Sequence, residues 1–282
     1  QQIYNTADSM TAGRFAGEDA LAAVGASYPI TMLFIAVAMG CNIGCSVVIG
    51  QAFGARDYRR MKTAVSTTCI TCAVLSVVLM AAGFLFGAPL LRLIRTPANI
   101  FADGKLYLDI YVGGVAFLFL YNICTGIFNA MGDSRTPLIF LILSSAANVV
   151  LDLWFVAGLH WGVAGVAWAT FIAQGASGLL SLAVLAKRIA ALPAGEKAPL
   201  FSAQMLGRIA VVAVPSILQQ SFISVGNLFI QTLVNGFGSA VVAGYSAAIK
   251  LNTFAITSFT TLANGLSTFT AQNIGAGKLH RV

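Results

Sequence analysis

The sequence predicts an all-α fold: a polytopic bundle of membrane helices made of two parallel six-helix repeats, the second incomplete in this chain. Three observations predict it: a scarcity of charge, apolar blocks of bilayer length, and a segment that recurs later in the chain without a gap. Of the 282 residues, 58% are hydrophobic and only 9% charged. A soluble globular protein carries about 25% charged residues, and no soluble core of this size could hide so much apolar surface. A helix of about 20 apolar residues crosses a bilayer and satisfies its own backbone hydrogen bonds there. The alternating segments of about 10 residues that a membrane β-barrel needs do not occur.

Eight spans are expected, at 1–13, 21–50, 64–88, 105–130, 138–157, 163–186, 209–234 and 241–271. The chain opens at Gln1 and Gln2 without a Met, a short way before Gly13 and Arg14. The first span is therefore expected to be a truncated helix; a signal peptide would show a basic start and a cleavage site. The second span exceeds the bilayer thickness and is expected to tilt or protrude. The third contains Cys69 and Cys72 at the spacing of a redox or zinc motif. No His or carboxylate lies near them, so they, with Cys41, Cys45 and Cys124, read as small packing residues. In the fourth, Lys105 and Asp109 lie near the outer end, where an interfacial role is expected.

The net charge of +7 marks topology rather than a nucleic-acid partner. Alternate connections hold eleven basic residues (Arg56, Arg59, Arg60, Lys62, Arg135, Lys187, Arg188, Lys197, Arg208, Lys278, Arg281) against four on the other side (Arg14, Arg92, Arg95, Lys105). The positive-inside rule places the eleven in the cytoplasm, which fits a multi-pass protein of the bacterial plasma membrane.

Residues 22–60 and 243–281 align at a constant offset of 221. The clearest part is Gln51-Ala52-Phe53-Gly54-Ala55 against Gln272-Asn273-Ile274-Gly275-Ala276, each closing a long helix before a basic loop. Six spans separate the copies, an even number, so both enter the membrane from one side: a parallel repeat about an axis along the membrane normal. The polar stretch 187–208, with Pro193, Gly195 and Pro199, reads as a cytoplasmic linker. It divides an N-terminal lobe (1–186) from the start of a C-terminal lobe (209–282), and the repeat predicts four further helices beyond Val282.

Charged groups inside a span cost about 2.5–3.5 kcal/mol on insertion scales, so each needs a reason. Asp8 in the first span, Asn148 and Asp152 one turn apart in the fifth, and Thr170 in the sixth all fall roughly 8–14 Å below the outer boundary at 1.5 Å per residue. Two carboxylates, an amide oxygen and a hydroxyl suit a hard cation. Burial disfavours the charged form of a carboxyl, so proton uptake would compete for the same oxygens. The bland alternative is that Asn148 and Thr170 join helices and that the two Asp bond to neighbours. Lys250 sits near the midplane of the eighth span, where it would line a cavity or pair with an acid. Polar residues dot the seventh span, Gln219, Gln220, Asn227 and Gln231 among them, as on a water-lined surface between halves. Lys250, Asn227, Gln231 and Gln174 are the candidates for a substrate cavity.

The run from Tyr4 to Gly25, with Asn5, Asp8, Gly13, Arg14 and Gly17, resembles the opening of the multidrug and toxic compound extrusion (MATE) family. Gly40 to Gly54, ending Gly50-Gln51-Ala52-Phe53-Gly54, resembles the end of that family's second helix. Asn129-Ala130-Met131-Gly132-Asp133-Ser134-Arg135-Thr136-Pro137 resembles its loop after the fourth. The resemblance covers the whole chain and implies twelve helices in two lobes around an alternating cavity. It implies export of organic, often cationic compounds against inward Na⁺ or H⁺, without another cofactor. It also implies an N-lobe cation site, onto which Asp8, Asn148, Asp152 and Thr170 match in type and spacing; Na⁺ would be their metal if sodium drives transport. The expected partners are small organic substrates and membrane lipid, not nucleic acid, and the expected state is a monomer. Some members use acids of the second lobe; here no acidic residue comes after Glu196.

Two rivals remain. A lipid-linked precursor flippase of the same superfamily would need a more basic cavity than Lys250 supplies. An intramembrane aspartyl protease would need Gly-Asp and Tyr-Asp contexts, whereas Ala7 precedes Asp8 and Leu151 precedes Asp152. No His–Glu metal motif or Gly-x-Ser-x-Gly elbow occurs, so no enzyme is expected.

Overall fold

A computed structural model describes residues 17–94, 96–193, 198–235 and 239–282. Among these residues eight α-helices succeed one another: α1 Glu18–Gly54, α2 Tyr58–Leu93, α3 Ala98–Gly113, α4 Val115–Ala130, α5 Arg135–Asp152, α6 Gly162–Ala191, α7 Ala203–Asn235 and α8 Ser239–Gly275. A π-helical turn, Leu153–Gly158, continues α5, and a 3₁₀ turn, Leu279–Arg281, comes after α8. The first expected span lies outside the described residues. The other seven are found, the fourth as two helices.

The helices outrun the apolar blocks. α1 has 37 residues with Pro29 inside it, about 55 Å at 1.5 Å per residue, against a hydrocarbon core of about 30 Å. α2 has 36 residues and contains Pro89. Asp57 caps it, its carboxylate accepting from the Arg60 N–H at 2.9 Å. α6 runs on to Ala191 and α7 begins at Ala203, so helix enters the expected linker from both sides.

The fourth span breaks at Gly114. α3 and α4 together are long and apolar enough for one membrane crossing, with a bend of 47° between them. The ring of Phe171 on α6 stands 3.2 Å from where a Gly114 Cβ would be, so a side chain there would press on α6.

α1 is the hub, packing against α2, α3, α4, α7 and α8, while α6 packs against α3, α4 and α5. The main core joins Ile49, Met61, Leu91, Phe119, Ile127 and Phe128 with Leu185 of α6 and Met205 of α7. Cys41, Cys45, Cys72 and Cys124 are buried in it, and all five cysteines are free thiols, as the packing reading expects. Apolar side chains such as Val74, Val78, Leu85, Leu143 and Phe222 cover the outside, a surface suited to acyl chains.

α1 and α7 meet almost backbone to backbone. A Cβ at Gly44 would stand 2.6 Å from Ala213 Cβ, and one at Gly40 would stand 2.7 Å from the Ile217 nitrogen. Gly40-x-x-x-Gly44 is thus a small-xxx-small seam, the pattern that lets membrane helices approach closely.

Contacts at one end of the bundle gather the basic connections. Arg188 pairs with Asp133 at 2.7 Å, and Lys62 Nζ donates to the Leu192 carbonyl at 2.8 Å. The Ser202 N–H donates to Thr67 Oγ1 at 3.1 Å. Asp133 also accepts from the Thr136 N–H at 3.1 Å and its hydroxyl at 2.7 Å. Partial burial pushes its carboxyl up, but these bonds and Arg188 outweigh that and hold it below the ordinary value of 3.8. A depressed folded-state value stabilises above the unfolded value and is lost as pH falls through the folded one. The stability gap between the wild type and Asp133→Asn is therefore expected to be full at pH 7 and to close progressively below about pH 4. Melting curves of the two proteins from pH 7 to 3 check this; a gap independent of pH would contradict it.

At the other end, Asn99 donates to Asp19 at 3.3 Å and Ser27 donates to the Gly104 carbonyl at 3.0 Å. Lys105 and Asp109 form an i,i+4 ion pair, each about a third exposed. Such pairs contribute little, about 0.3–0.5 kcal/mol.

Candidate functional site in the N-terminal helices

Three of the four expected cation or proton residues come together where α5 meets α6. Asn148 and Asp152 are fully buried and Thr170 is 6% exposed. They are polar groups in an otherwise apolar contact, and each would be costly without partners. The Asn148 amide N–H donates to Thr170 Oγ1 at 3.4 Å, which fixes the amide and turns its carbonyl oxygen the other way. Asp152 lies four residues after Asn148 and stands on the same face. Asp8 lies outside the described residues.

Asp152 is the last α-helical residue before the π-helical turn Leu153–Gly158. A π turn inserts extra backbone into the winding and changes the direction in which side chains on either side of it point. Phe155 and Val156 of this turn close on Gly165, where a Cβ would meet Val156 Cγ2 at 3.1 Å. Val156, Val163, Val166 and Ala167 join Ala20, Ala23, Ile100 and Tyr107 in a second apolar cluster. This cluster joins α1 and α3 to the π turn and the first turns of α6.

The donor set fits a hard cation. Carboxylate, amide and hydroxyl oxygens are the ligands that such ions take, and a carboxylate alone can take a proton instead. Thr170→Val would put a methyl where Asn148 finds its acceptor. The expected loss is about 1 kcal/mol of stability, recovered in Thr170→Ser. Melting of the three proteins checks it; equal values for Val and Ser would remove the hydroxyl from the site.

Of the four expected substrate-cavity residues, two have described side chains. Gln174 is half-buried on α6, one turn beyond Thr170, and Asn227 is exposed on α7. Gln231 and Lys250 have side chains outside the described residues. The cavities among the described residues include one of about 560 Å³ between α1 and α2, lined by Leu33, Phe34, Leu79 and Phe86 among others, and one of about 380 Å³ between α1 and α8, lined by Val47, Gln51, Leu266 and Thr270 among others. Neither reaches Asp152. The π turn and the Gly40–Gly44 seam were not expected from the sequence. The spacing of the two glycines is the signal that could have found the seam.

The MatE family model matches residues 1–154 and 215–282. The probable multidrug resistance protein YoeA of Bacillus subtilis is 30% identical over the whole of this chain and 62% of its own length. The probable multidrug resistance protein YpnP of the same organism is 30% identical over the whole chain and 63% of its length. This chain thus spans less than two thirds of the curated relatives it matches. Among solved structures, a multidrug resistance MATE family transporter in its outward-facing conformation superposes with a TM-score of 0.90 at 25% identity, over 99% of this chain and 62% of the other. A MATE crystal structure in the bent conformation superposes with a TM-score of 0.89 at 26% identity, over 99% and 63%.

Proposed function

The chain belongs to the MatE family, a set of multi-pass membrane transporters, and from that premise we propose that the whole protein exports toxic organic compounds in exchange for Na⁺ or H⁺. The observation that carries the coupling half of the proposal is the buried group of Asn148, Asp152 and Thr170. An apolar helix contact gains nothing in stability from an ionisable residue, so a charge kept there serves a ligand.

The mechanism rests on linkage. A proton or cation at Asp152 changes the charge inside the α5–α6 contact and the way these helices pack. It drives transport only if it binds the inward- and outward-facing states with different affinity. Asn148 and Thr170 orient the oxygens around the carboxylate. Asp8, from the first span, is proposed as the second carboxylate. Small organic substrates, often cationic, would occupy the space between two six-helix lobes, with Gln174, Asn227, Gln231 and Lys250 along its walls. The protein would work as a monomer in lipid.

The test is dye efflux from vesicles of the full-length protein, first under a Na⁺ gradient, then under a pH gradient. Efflux driven by one or both is expected; efflux that ignores both, with protein folded and dye bound, would refute coupled antiport.

A further inference from the structure

The repeated Gln-x-x-Gly termini of α1 and α8, distant in sequence, touch each other. A Cβ at Gly54 would overlap the Gln272 carbonyl oxygen, and a Cβ at Gly275 would overlap the Gln51 carbonyl oxygen. The contact is reciprocal: each glycine opens to the glutamine carbonyl of the other copy, as two repeats related by a two-fold axis must do where they meet on it. It is also local. Ala271 and Asn273 are buried, whereas residues 255–266 of α8 are exposed and a Cβ at Gly265 would meet nothing within 4 Å. Among the described side chains, the helices meet at the basic end.

The Gln272 side chain adds a polar tie. Its Nε2 donates to the Ala130 carbonyl at 2.8 Å. Ala130 is the last residue of α4, and carbonyls at a helix C-terminus lack intrahelical partners. A residue of the second repeat thus completes a helix of the first. Next to it, Gly132 has φ +80° and leaves 3.6 Å between the position of a Cβ and Gln272 Nε2.

We propose that Gly54, Gly275 and Gln272 are the cytoplasmic latch of the transport pathway, closed in this structure. A path to the cytoplasm between the repeats needs these termini to part, which breaks the Gln272–Ala130 hydrogen bond and separates the two glycines. Glycine is required because any side chain would hold the backbones apart, and glutamine because its amide reaches across. The proposal rests on the alternating-access reading for its role but not for its geometry.

Spin labels at Arg56→Cys and Lys278→Cys, both exposed, report the separation of the two termini in the full-length protein with its native cysteines replaced by serine. A short-distance population with a minor longer one is expected. Gly54→Ala, Gly275→Ala and Gln272→Ala should each raise the longer population at least three-fold. Gly25→Ala, on the far end of α1 with open space around it, should leave it unchanged. Gln272→Ala adds no bulk, so it carries the test if the alanine-for-glycine variants do not fold. Unchanged distances in Gln272→Ala overturn the latch. Dye efflux from the same vesicles separates the two ideas: a wild type without efflux sinks the exporter reading, while the distances still decide the latch.

Discussion

Asp152→Asn is expected to lower gradient-driven export at least ten-fold while leaving the protein folded and its melting temperature unchanged or raised. The amide matches the carboxylate in shape, so packing against α6 is kept. It can neither take up a proton nor balance the charge of a cation. Asp152 is wholly buried at the end of α5, and removing a buried charge relieves a desolvation cost of several kcal/mol. A structural role and a coupling role therefore predict opposite outcomes. If Asp152 only joined helices, the variant would melt lower and export normally in proportion to the folded fraction. If it couples, export collapses in a protein that is at least as stable. Asp8→Asn is expected to behave in the same way. Normal export by Asp152→Asn, measured as efflux under whichever gradient drives the wild type, would end the site assignment.

The second large effect concerns stability. Gly44→Val is expected to lower folding stability by about 3 kcal/mol, the upper end for overpacking a tight contact. The Cβ alone would stand 2.6 Å from Ala213 Cβ and 2.9 Å from Ala213 Cα, and two further methyls have nowhere to go. In lipid there is no hydrophobic drive between apolar helices, so the seam depends on close van der Waals approach. A wedge that spreads α1 from α7 forfeits that contact along several turns. Gly207→Ala, on α7 with nothing within 4 Å, is the control and should melt as the wild type does. Melting in one detergent compares the three; a Gly44→Val protein as stable as the control would mean that α7 does not lie on α1.

Much of this was legible in the sequence because a bilayer turns composition into structure. Apolar length marked the helices that can cross among the described residues, up to six if the bent pair is one span, and the unequal basic residues separated the ends that Arg188–Asp133 and Asn99–Asp19 now mark. Asn148, Asp152 and Thr170 stood out for the same reason: in an apolar span a polar residue is conspicuous, and helical periodicity puts the first two on one face. The departures are backbone events. Nothing in Asp152-Leu153-Trp154 announces a π turn, and Gly165, on which it closes, lies on the next helix. The bend at Gly114 is invisible in a block that is apolar on both sides of it. Glycine is common in membrane helices, so the spacing of Gly40 and Gly44 was one such pattern among several until α7 was seen on top of them. The Gln51 and Gln272 repeats could be aligned by eye, but that they touch is a property of the bundle and not of the alignment.

The crossover from α6 to α7 is fastened near both ends, by Lys62 at Leu192 and by Thr67 at Ser202. A slack tether would absorb any rotation of the second half. A crossover pinned to α2 instead passes torque into that helix, close to the membrane surface where leverage on a long rigid rod is greatest. On the exporter reading proposed above, the joint would work as a crank, and part of its motion would pass through two hydrogen bonds that lie apart from the Asn148–Asp152–Thr170 group.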